Sequence, residues 1–292
     1  MLTRLFLGIV LLVPGAAFAQ GSFSDHCANG SPLPFAAIEV KQLIDKSCGA
    51  QGKSTAPANS HLQNQVKNNF CATAPSGQPE TITPQNLVDL QARTTVPSGQ
   101  GKEPTDRTPL QNLGEGKVVR MTAFLFEAHY ADLGSGETVN CNGATPVDND
   151  VHIALVSQAD AKECDSVTAE ISPHYRPASW AQIGNFETYN SKTKKYTPNP
   201  AMAARLQAQP YRITGQLFFD ASHEPCPCTT TCTPSRASDW EIHPVYSIEV
   251  CKAGTACDPS NDSDWLAFDA WWKSQVPIKK VRGPHAHTEE PN

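Results

Sequence analysis

Three short acid–histidine patterns are the residues of this chain whose types and spacing could do chemistry. They are Asp150-x-His152, Asp220-x-x-His223 and Glu241-x-His243. Carboxylates and imidazoles bind zinc or another divalent ion, and they also act as general acids and bases. The structural alternative for each pattern is a polar strand end that hydrogen-bonds a neighbouring loop.

Segments of alternating polarity predict the strands that must hold these patterns. Five of them follow residue 116, at 119–125, 150–155, 167–171, 212–217 and 246–250. Side chains two residues apart on a strand share a face, so Asp150 and His152 lie together, as do Glu241 and His243. A longer segment with a helix-compatible piece at 201–206 separates the third strand from the fourth.

The order of three strands, a helical connection and two strands predicts a mainly β protein with a helical N-terminal region. It is the order of the oligonucleotide/oligosaccharide-binding (OB) barrel, whose five strands close with Greek-key topology. Gly215, inside the fourth strand, fits a tight bend of a small barrel. An unrelated β-sandwich is the alternative that the same pattern leaves open.

An OB-like barrel would separate the three patterns. The fourth strand runs into the fifth through a loop, so Asp220, His223, Glu241 and His243 are predicted to gather at one end. Asp150 is predicted to lie at the opposite end. The four residues that gather at one end therefore form the candidate metal or catalytic site of this sequence.

Two classes of function follow from this arrangement. The first is a binding module that uses the outer face of the second and third strands, where Asp150, His152, Thr168 and Glu170 would meet a polar ligand or a protein. No cofactor is expected for it. The alternative is a metal-dependent, phosphodiesterase-like hydrolase, which would need a divalent ion at the four-residue cluster.

Nucleic acid is not expected as a partner. The chain has 23 basic and 29 acidic residues and a net charge of −6. Binding through phosphates requires a basic surface, and 192–195 is the only basic cluster. The predicted ligand face also lacks the aromatic side chains on which bases stack.

Residues 1–19 have the form of a cleavable secretory signal peptide. Arg4 is their only charged residue, 5–13 is apolar, and Ala17-Phe18-Ala19 gives an A-x-A cleavage site. The apolar run is shorter than the ~20 residues that cross a bilayer, and no later segment suits a membrane span. We therefore expect a bacterial protein that is secreted or periplasmic, with no transmembrane segment after cleavage.

Ten cysteines follow the predicted cleavage site, and an even number in an exported chain predicts a disulfide framework. Three lie before residue 110 and seven after it, so at least one bridge joins the two regions if all ten pair. Metal ligation by the closely spaced thiols at 226–232 is the alternative. The ten are Cys27, Cys48, Cys71, Cys141, Cys164, Cys226, Cys228, Cys232, Cys251 and Cys257.

The same patterns divide the chain after the predicted signal peptide at 1–19 into three parts. A helical, disulfide-tied N-terminal region with a linker at 94–108 occupies 20–115, the barrel occupies 116–257, and a helix and polar tail occupy 258–292. Helices are predicted at 36–44, from Asn59 or Ser60 onwards, and from Pro84 after a Thr83 cap.

The polar run 258–264 allows two interpretations. Its oxygen side chains alternate and Asp269 stands at the twelfth position, which resembles a calcium loop without the usual glycine at position six. The other interpretation is a helix that Asp262 or Ser263 caps and that runs through Trp265 to Trp272.

Four stretches, at 67–71, 149–153, 214–220 and 240–245, resemble a group of exported bacterial proteins of unassigned function. The last reads W-E-I-H-P-V, and the four touch both halves of the chain. The resemblance implies one family that spans the chain, and it carries no chemistry. Asp150 also lies where OB-barrel nucleases place a metal-binding carboxylate, but 171–174 does not match their second acidic motif.

Overall fold

A computed structural model describes most of the chain from Cys48 onwards. The predicted signal peptide and the predicted helix at 36–44 lie outside the described residues, so the helical N-terminal region stays partly a prediction. The described residues are 48–53, 58–69, 78–131, 137–190, 192–193, 195–227, 235–252 and 257–275.

The described part is mainly β, with few and short helices. Its strands are β1 (Glu80–Ile82), β2 (Val118–Tyr130), β3 (Val151–Val156), β4 (Val167–Ile171), β5 (Glu187–Asn190), β6 (Lys195–Pro198), β7 (Pro210–Phe219), β8 (Trp240–Cys251) and β9 (Trp265–Ala267). Its α-helices are α1 (Ala58–Asn68), α2 (Pro84–Arg93), α3 (Thr108–Leu113), α4 (Pro200–Gln207) and α5 (Phe268–Gln275). Single 3-10 turns lie at Thr138–Asn140, Pro146–Asp148, Glu163–Asp165, Pro173–Tyr175, Trp180–Gln182 and Asp262–Asp264.

Five strands close into a mixed β-barrel in the order β2–β3–β4–β8–β7, with β7 returning to β2. β4 and β8 run parallel, and the other barrel pairs are antiparallel. β2 is long enough to serve two neighbours, because 118–124 pair with β7 and 124–130 pair with β3. The five predicted strands are therefore confirmed, and each of them belongs to the closed barrel.

Alternation along the strands fills the barrel with aliphatic and aromatic side chains, among them Val151, Ile153, Val167 and Ile242. Gly215 marks a tight point in this wall. A Cβ atom placed there would lie 2.5 Å from the carbonyl oxygen of Pro244, so only glycine fits without displacing β8.

The segments before β2 pack onto the barrel. β1 joins the sheet parallel to β2, and α2 begins at Pro84 behind the predicted Thr83 cap. The predicted linker is also held in place, since the Trp240 indole donates a hydrogen bond to the Thr94 hydroxyl at 2.7 Å and the Gly99 amide donates to Ala221. The linker interpretation missed these contacts because they are long-range and leave no local pattern.

The C-terminal helix begins later than predicted, at Phe268. Residues 262–264 form a 3-10 turn, and 265–267 form β9 on the edge of β8. The backbone of 265–267 instead pairs antiparallel with 249–251 of β8, a long-range contact that leaves no local pattern in the sequence. In the polar run, Asp258 accepts from Ser260, and Asp262 contacts the Arg212 guanidinium at 2.8 Å. These contacts favour local capping over the calcium loop.

Three disulfides lie among the described residues, and no described cysteine is free. They join Cys48 to Cys141, Cys164 to Cys226, and Cys251 to Cys257. The first bridge connects the N-terminal region to the barrel, as the cysteine count predicts, and the second leaves no Cys226 thiolate for a metal. The other four cysteines, at positions 27, 71, 228 and 232, lie outside the described residues.

None of the described helices has the length and apolar character that crossing a membrane requires.

Loss of the long-range disulfide should cost more stability than loss of the short-range one. Cys48–Cys141 spans 93 residues and Cys251–Cys257 spans 6. If chain entropy dominates, replacing the first pair by serine should lower the free energy of unfolding by roughly 2 kcal/mol more than replacing the second. Denaturant titration with chelator present measures both variants, and equal losses would contradict the expectation.

Candidate metal centre

The barrel strands carry two kinds of face. Val151, Ile153, Val167 and Ala169 point into the apolar core, and the residues between them point the other way. His152 pairs with Glu170 in the register of β3 and β4, so the two side chains share this second face.

The same face continues onto β8, where Glu241 and His243 alternate with the core residues Trp240 and Ile242. β4 is only five residues long and pairs in parallel with the first residues of β8, Thr168 lying opposite Glu241. The end of β4 and the start of β3 therefore come level with His243. The Oδ2 atom of Asp150 lies 3.9 Å from the Nε2 atom of His243.

This placement corrects one prediction. Asp150 was expected at the opposite end of the barrel from Glu241 and His243, but the unequal lengths of β4 and β8 bring the three together. The structure therefore merges the predicted ligand face and most of the predicted metal cluster into one site.

The predicted ligand face is also not exposed. Asp150, Thr168 and Glu170 are all buried, and only His152 keeps a partly exposed side chain. α1 covers this face, and the carbonyl of Val66 accepts a hydrogen bond from Gln216 of β7 at 2.8 Å. Residues on the outside of the barrel are thereby enclosed.

Lys67 is the main charged contact between α1 and the barrel. Its Nζ lies 2.9 Å from Oδ2 of Asp220, which follows β7, and 3.5 Å from Oε2 of Glu170. One turn earlier, the Gln63 amide donates to Oδ1 of Asp220 at 2.9 Å. A buried lysine needs such partners, because an unpaired buried charge is costly.

Arg236 approaches from the segment before β8. Its guanidinium lies 3.0 Å from Glu241 and 3.2 Å from Asp239, and it is fully buried. Among the described residues, Lys67 and Arg236 are the lysine and the arginine that form ion pairs with these acids. Sequence reasoning missed both, because a single basic residue in a helix or loop has no pattern that marks it as buried.

Glu170 and His243 form the closest pair of the centre. His243 Nδ1 lies 2.7 Å from Oε2 of Glu170 and 3.5 Å from Oε1 of Glu241. On the other oxygen of Glu170, Oε1, the nearest imidazole is that of His152 at 3.7 Å. The Glu170 carboxylate therefore stands between two histidines.

Glu137 completes the more open side. It lies outside the barrel strands, just before the turn at 138–140, and its Oε1 is 3.1 Å from His152 Nε2. The Cys48–Cys141 bridge and a hydrogen bond from Lys53 to Thr138 tie this turn to the segment before α1. No sequence pattern pointed to Glu137, because its role depends on that tie.

Within the centre, the Asp150 carboxylate has the fewest hydrogen-bond partners among the described residues. It is fully buried, and neither of its oxygens has a hydrogen-bond partner among the described residues. Buried carboxylates are normally hydrogen-bonded, paired with a base or bound to a metal.

His223 lies at the rim of the site. Its Nε2 is 3.7 Å from Oδ2 of Asp220, and its side chain is 30% exposed. Burial, together with the nearby Arg236 and Lys67, lowers the pKa of His223 to about 4 although Asp220 opposes this shift. The imidazole is therefore neutral at pH 7.

Burial, repulsion among the carboxylates and attraction between carboxylates and histidines control the protonation of the inner groups. Burial raises the pKa of Asp150 to about 7, and the Glu137 carboxylate adds to the shift. Burial alone would lower the pKa of His243, but Glu170 and Glu241 outweigh it and raise that pKa to about 10. The same balance, with Glu170 and Glu137 as the acids, raises the pKa of His152 to about 9.

We refer to six carboxylates as the acidic cluster. Two permanently charged bases, Lys67 and Arg236, pair with its members, which leaves four negative charges to be balanced. In the metal-free protein, protons on His152, His243 and Asp150 supply most of that charge. The cluster consists of Glu137, Asp150, Glu170, Asp220, Asp239 and Glu241.

Three overlapping groups within these residues could hold a metal ion, each with its ligand atoms within 4.8 Å of one another. An outer group consists of Glu137, Asp150 and His152. An inner group consists of Asp150, Glu170 and His243. A third group consists of Glu170, Asp220 and Glu241.

Of the four residues predicted as the metal site, the structure brings Asp220, Glu241 and His243 into these groups, and His223 stands beside them.

Comparison of the chain with protein-family models, with curated proteins and with solved structures gave no match.

After a chelator has removed any bound metal, the pH dependence of the free energy of unfolding should depend on Asp150. Its pKa of about 7 in the folded state lies above the ~4 of an unfolded chain, so the folded state holds a proton that the unfolded state releases. The contribution of Asp150 to the free energy of unfolding should therefore fall as the pH rises from about 4 to about 7. The stability advantage of the wild type over Asp150→Asn should shrink by a few kcal/mol across that interval, at about 1.4 kcal/mol per pKa unit.

Denaturant titrations at several pH values, with chelator present, measure this difference. Asp160→Asn, at an exposed position, is the matched control, and its curve should run parallel to that of the wild type. A pH-independent difference between the wild type and Asp150→Asn would show that Asp150 does not titrate in this range.

Proposed function

We propose that this protein is an exported binding module of the OB-like barrel type and that its ligand is a divalent metal ion. The strand order, with the first strand of the barrel pairing with the second and the fourth, and a parallel pair between the third and fifth, supports the OB-like assignment. The disulfides support export to an oxidising compartment.

The observation that carries the proposal is the Asp150 carboxylate. It is buried with no hydrogen-bond donor among the described residues, and one of its oxygens lies within 4.8 Å of the ligand atoms of Glu170 and His243. A divalent ion between these three residues would satisfy Asp150 and offset the surplus of buried negative charge at once.

The ligand types narrow the choice of ion. Two carboxylates with one imidazole form a mixed oxygen and nitrogen set, which suits Mn²⁺ or Zn²⁺ better than a thiolate-seeking ion. The enclosing α1 and the buried position favour an ion that stays bound. The site lies on the face of the second and third barrel strands, where OB barrels bind their ligands.

A divalent ion should stabilise the wild type and not a variant that lacks the central ligand. After removal of metal by chelator and dialysis, Mn²⁺ at about 100 times its Kd should raise the free energy of unfolding by about 2.7 kcal/mol. Asp150→Asn keeps the shape of the side chain but removes the charge, so its melting temperature should not respond to Mn²⁺. Asp160→Asn should respond like the wild type.

Elemental analysis of protein purified without chelator provides an independent measurement of a bound ion. If neither Mn²⁺ nor Zn²⁺ raises the melting temperature of the wild type, and the purified protein carries no stoichiometric metal, the site is a protonated polar cluster and the proposal is wrong.

A metal-dependent hydrolase is the second candidate, because one edge of the centre is open. The side chains of Glu137 and His152 are 16% and 17% exposed, and His223 stands at the rim. Hydrolysis of bis(p-nitrophenyl) phosphate by the Mn²⁺-loaded protein distinguishes the two functions. A rate above that of free Mn²⁺ that Asp150→Asn abolishes would favour the hydrolase, and a rate equal to free Mn²⁺ favours the binding module.

A further inference from the structure

We propose that the centre holds two divalent ions, one on each side of the Glu170 carboxylate, with Asp150 shared between them. The inference rests on the proposed metal binding and extends it from one ion to a pair. The inner ion would be bound by Asp150, Glu170 and His243, and the outer ion by Glu137, Asp150 and His152.

The two oxygens of Glu170 face different histidines. Oε2 lies 2.7 Å from Nδ1 of His243, and Oε1 lies 3.7 Å from Nε2 of His152. If each imidazole binds an ion, the Glu170 carboxylate can bridge the two ions through one oxygen each. Two-ion centres use shared carboxylates of this kind to hold the ions a few ångströms apart.

Each histidine also has an acid of its own. Glu241 Oε1 lies 3.5 Å from His243 Nδ1 on the inner side, and Glu137 Oε1 lies 3.1 Å from His152 Nε2 on the outer side. Each side therefore offers one imidazole with a carboxylate beside it, and Asp150 belongs to the ligand sets of both sides. This repetition is not needed for a single ion.

Asp150 is the residue that both sets require. It belongs to the inner and the outer group, and both of its oxygens lack hydrogen-bond partners among the described residues. One oxygen for each ion would satisfy the whole carboxylate, whereas one ion bound through one oxygen would leave the other buried and unpaired.

The balance of buried charge also indicates two divalent ions. The acidic cluster exceeds Lys67 and Arg236 by four negative charges, which two divalent ions balance with both histidines neutral. Arg176 is also buried near Asp150, but its guanidinium donates to backbone carbonyls, including those of Val147 and Asn149. It reduces the surplus at longer range and does not pair with a member of the cluster.

The two positions differ in access. The side chains of Glu170 and His243 are 2% and 0% exposed, whereas those of Glu137 and His152 are 16–17% exposed. The outer ion would therefore retain water ligands and exchange with solvent, and the inner ion would be enclosed. We expect the outer ion to bind more weakly.

Mn²⁺ titration of the chelator-stripped full protein tests the pair. Native mass spectrometry and equilibrium dialysis should give two Mn²⁺ per chain for the wild type and for Asp160→Asn. Electron paramagnetic resonance should show spin coupling at two equivalents, because shared carboxylates place the ions close together. His152→Ala and the milder Glu137→Gln should each bind one Mn²⁺ with the spectrum of an isolated ion.

The outcomes separate this inference from the proposal it rests on. One Mn²⁺ per chain in the wild type, lost in Asp150→Asn, would leave the binding function intact and refute the second ion. Two ions in Glu137→Gln and His152→Ala, with their circular dichroism unchanged, would also refute the outer position. No bound Mn²⁺ or Zn²⁺ in the wild type would overturn metal binding itself.

Discussion

The burial of the acidic cluster, with α1 contacting Glu170 and Asp220, is the electrostatic constraint on which the arrangement of this protein depends. Removing a carboxylate from water costs several kcal/mol unless a base, a proton, a hydrogen-bond donor or a metal compensates for it. Lys67 from α1 and Arg236 from the segment before β8 provide two such charges. The barrel, the helix and the loop are therefore held together by shared charge as well as by apolar contact.

The remaining charge links folding to the occupancy of the site. Without metal, the raised pKa values of His152, His243 and Asp150 show that the fold takes up protons to balance its acids. A divalent ion would replace those protons, so metal binding and proton release should be coupled. The same residues that make the centre costly to bury thus make it receptive to cations.

The disulfides position the parts of the site that lie outside the barrel. Cys48–Cys141 fixes the turn that follows Glu137 against the segment that leads into α1. Cys164–Cys226 anchors the loop after His223, and the Cys226 amide also donates to the carbonyl of Arg236. Residues from a helix and two loops can face the strand residues because these bridges limit how far the loops can move.

The sequence by itself determined the strands and the acid–histidine pairs. Alternation at 150–155 and 167–171 reports which side chains share a face, because that depends only on the period of the strand. The same reasoning placed His243 on one strand face with Glu241. If all ten cysteines pair, their distribution along the chain also requires a bridge such as Cys48–Cys141 between the N-terminal region and the rest of the chain.

Only the tertiary structure decided which of these faces meet and what covers them. The register of β4 against the start of β8 brings Asp150 to His243, and no local period encodes the pairing of strands that are distant along the chain. Lys67 and Glu137 could not be identified beforehand for the same reason. A single charged residue is an ordinary surface residue in sequence, and it becomes part of a site only when long-range contacts remove it from water.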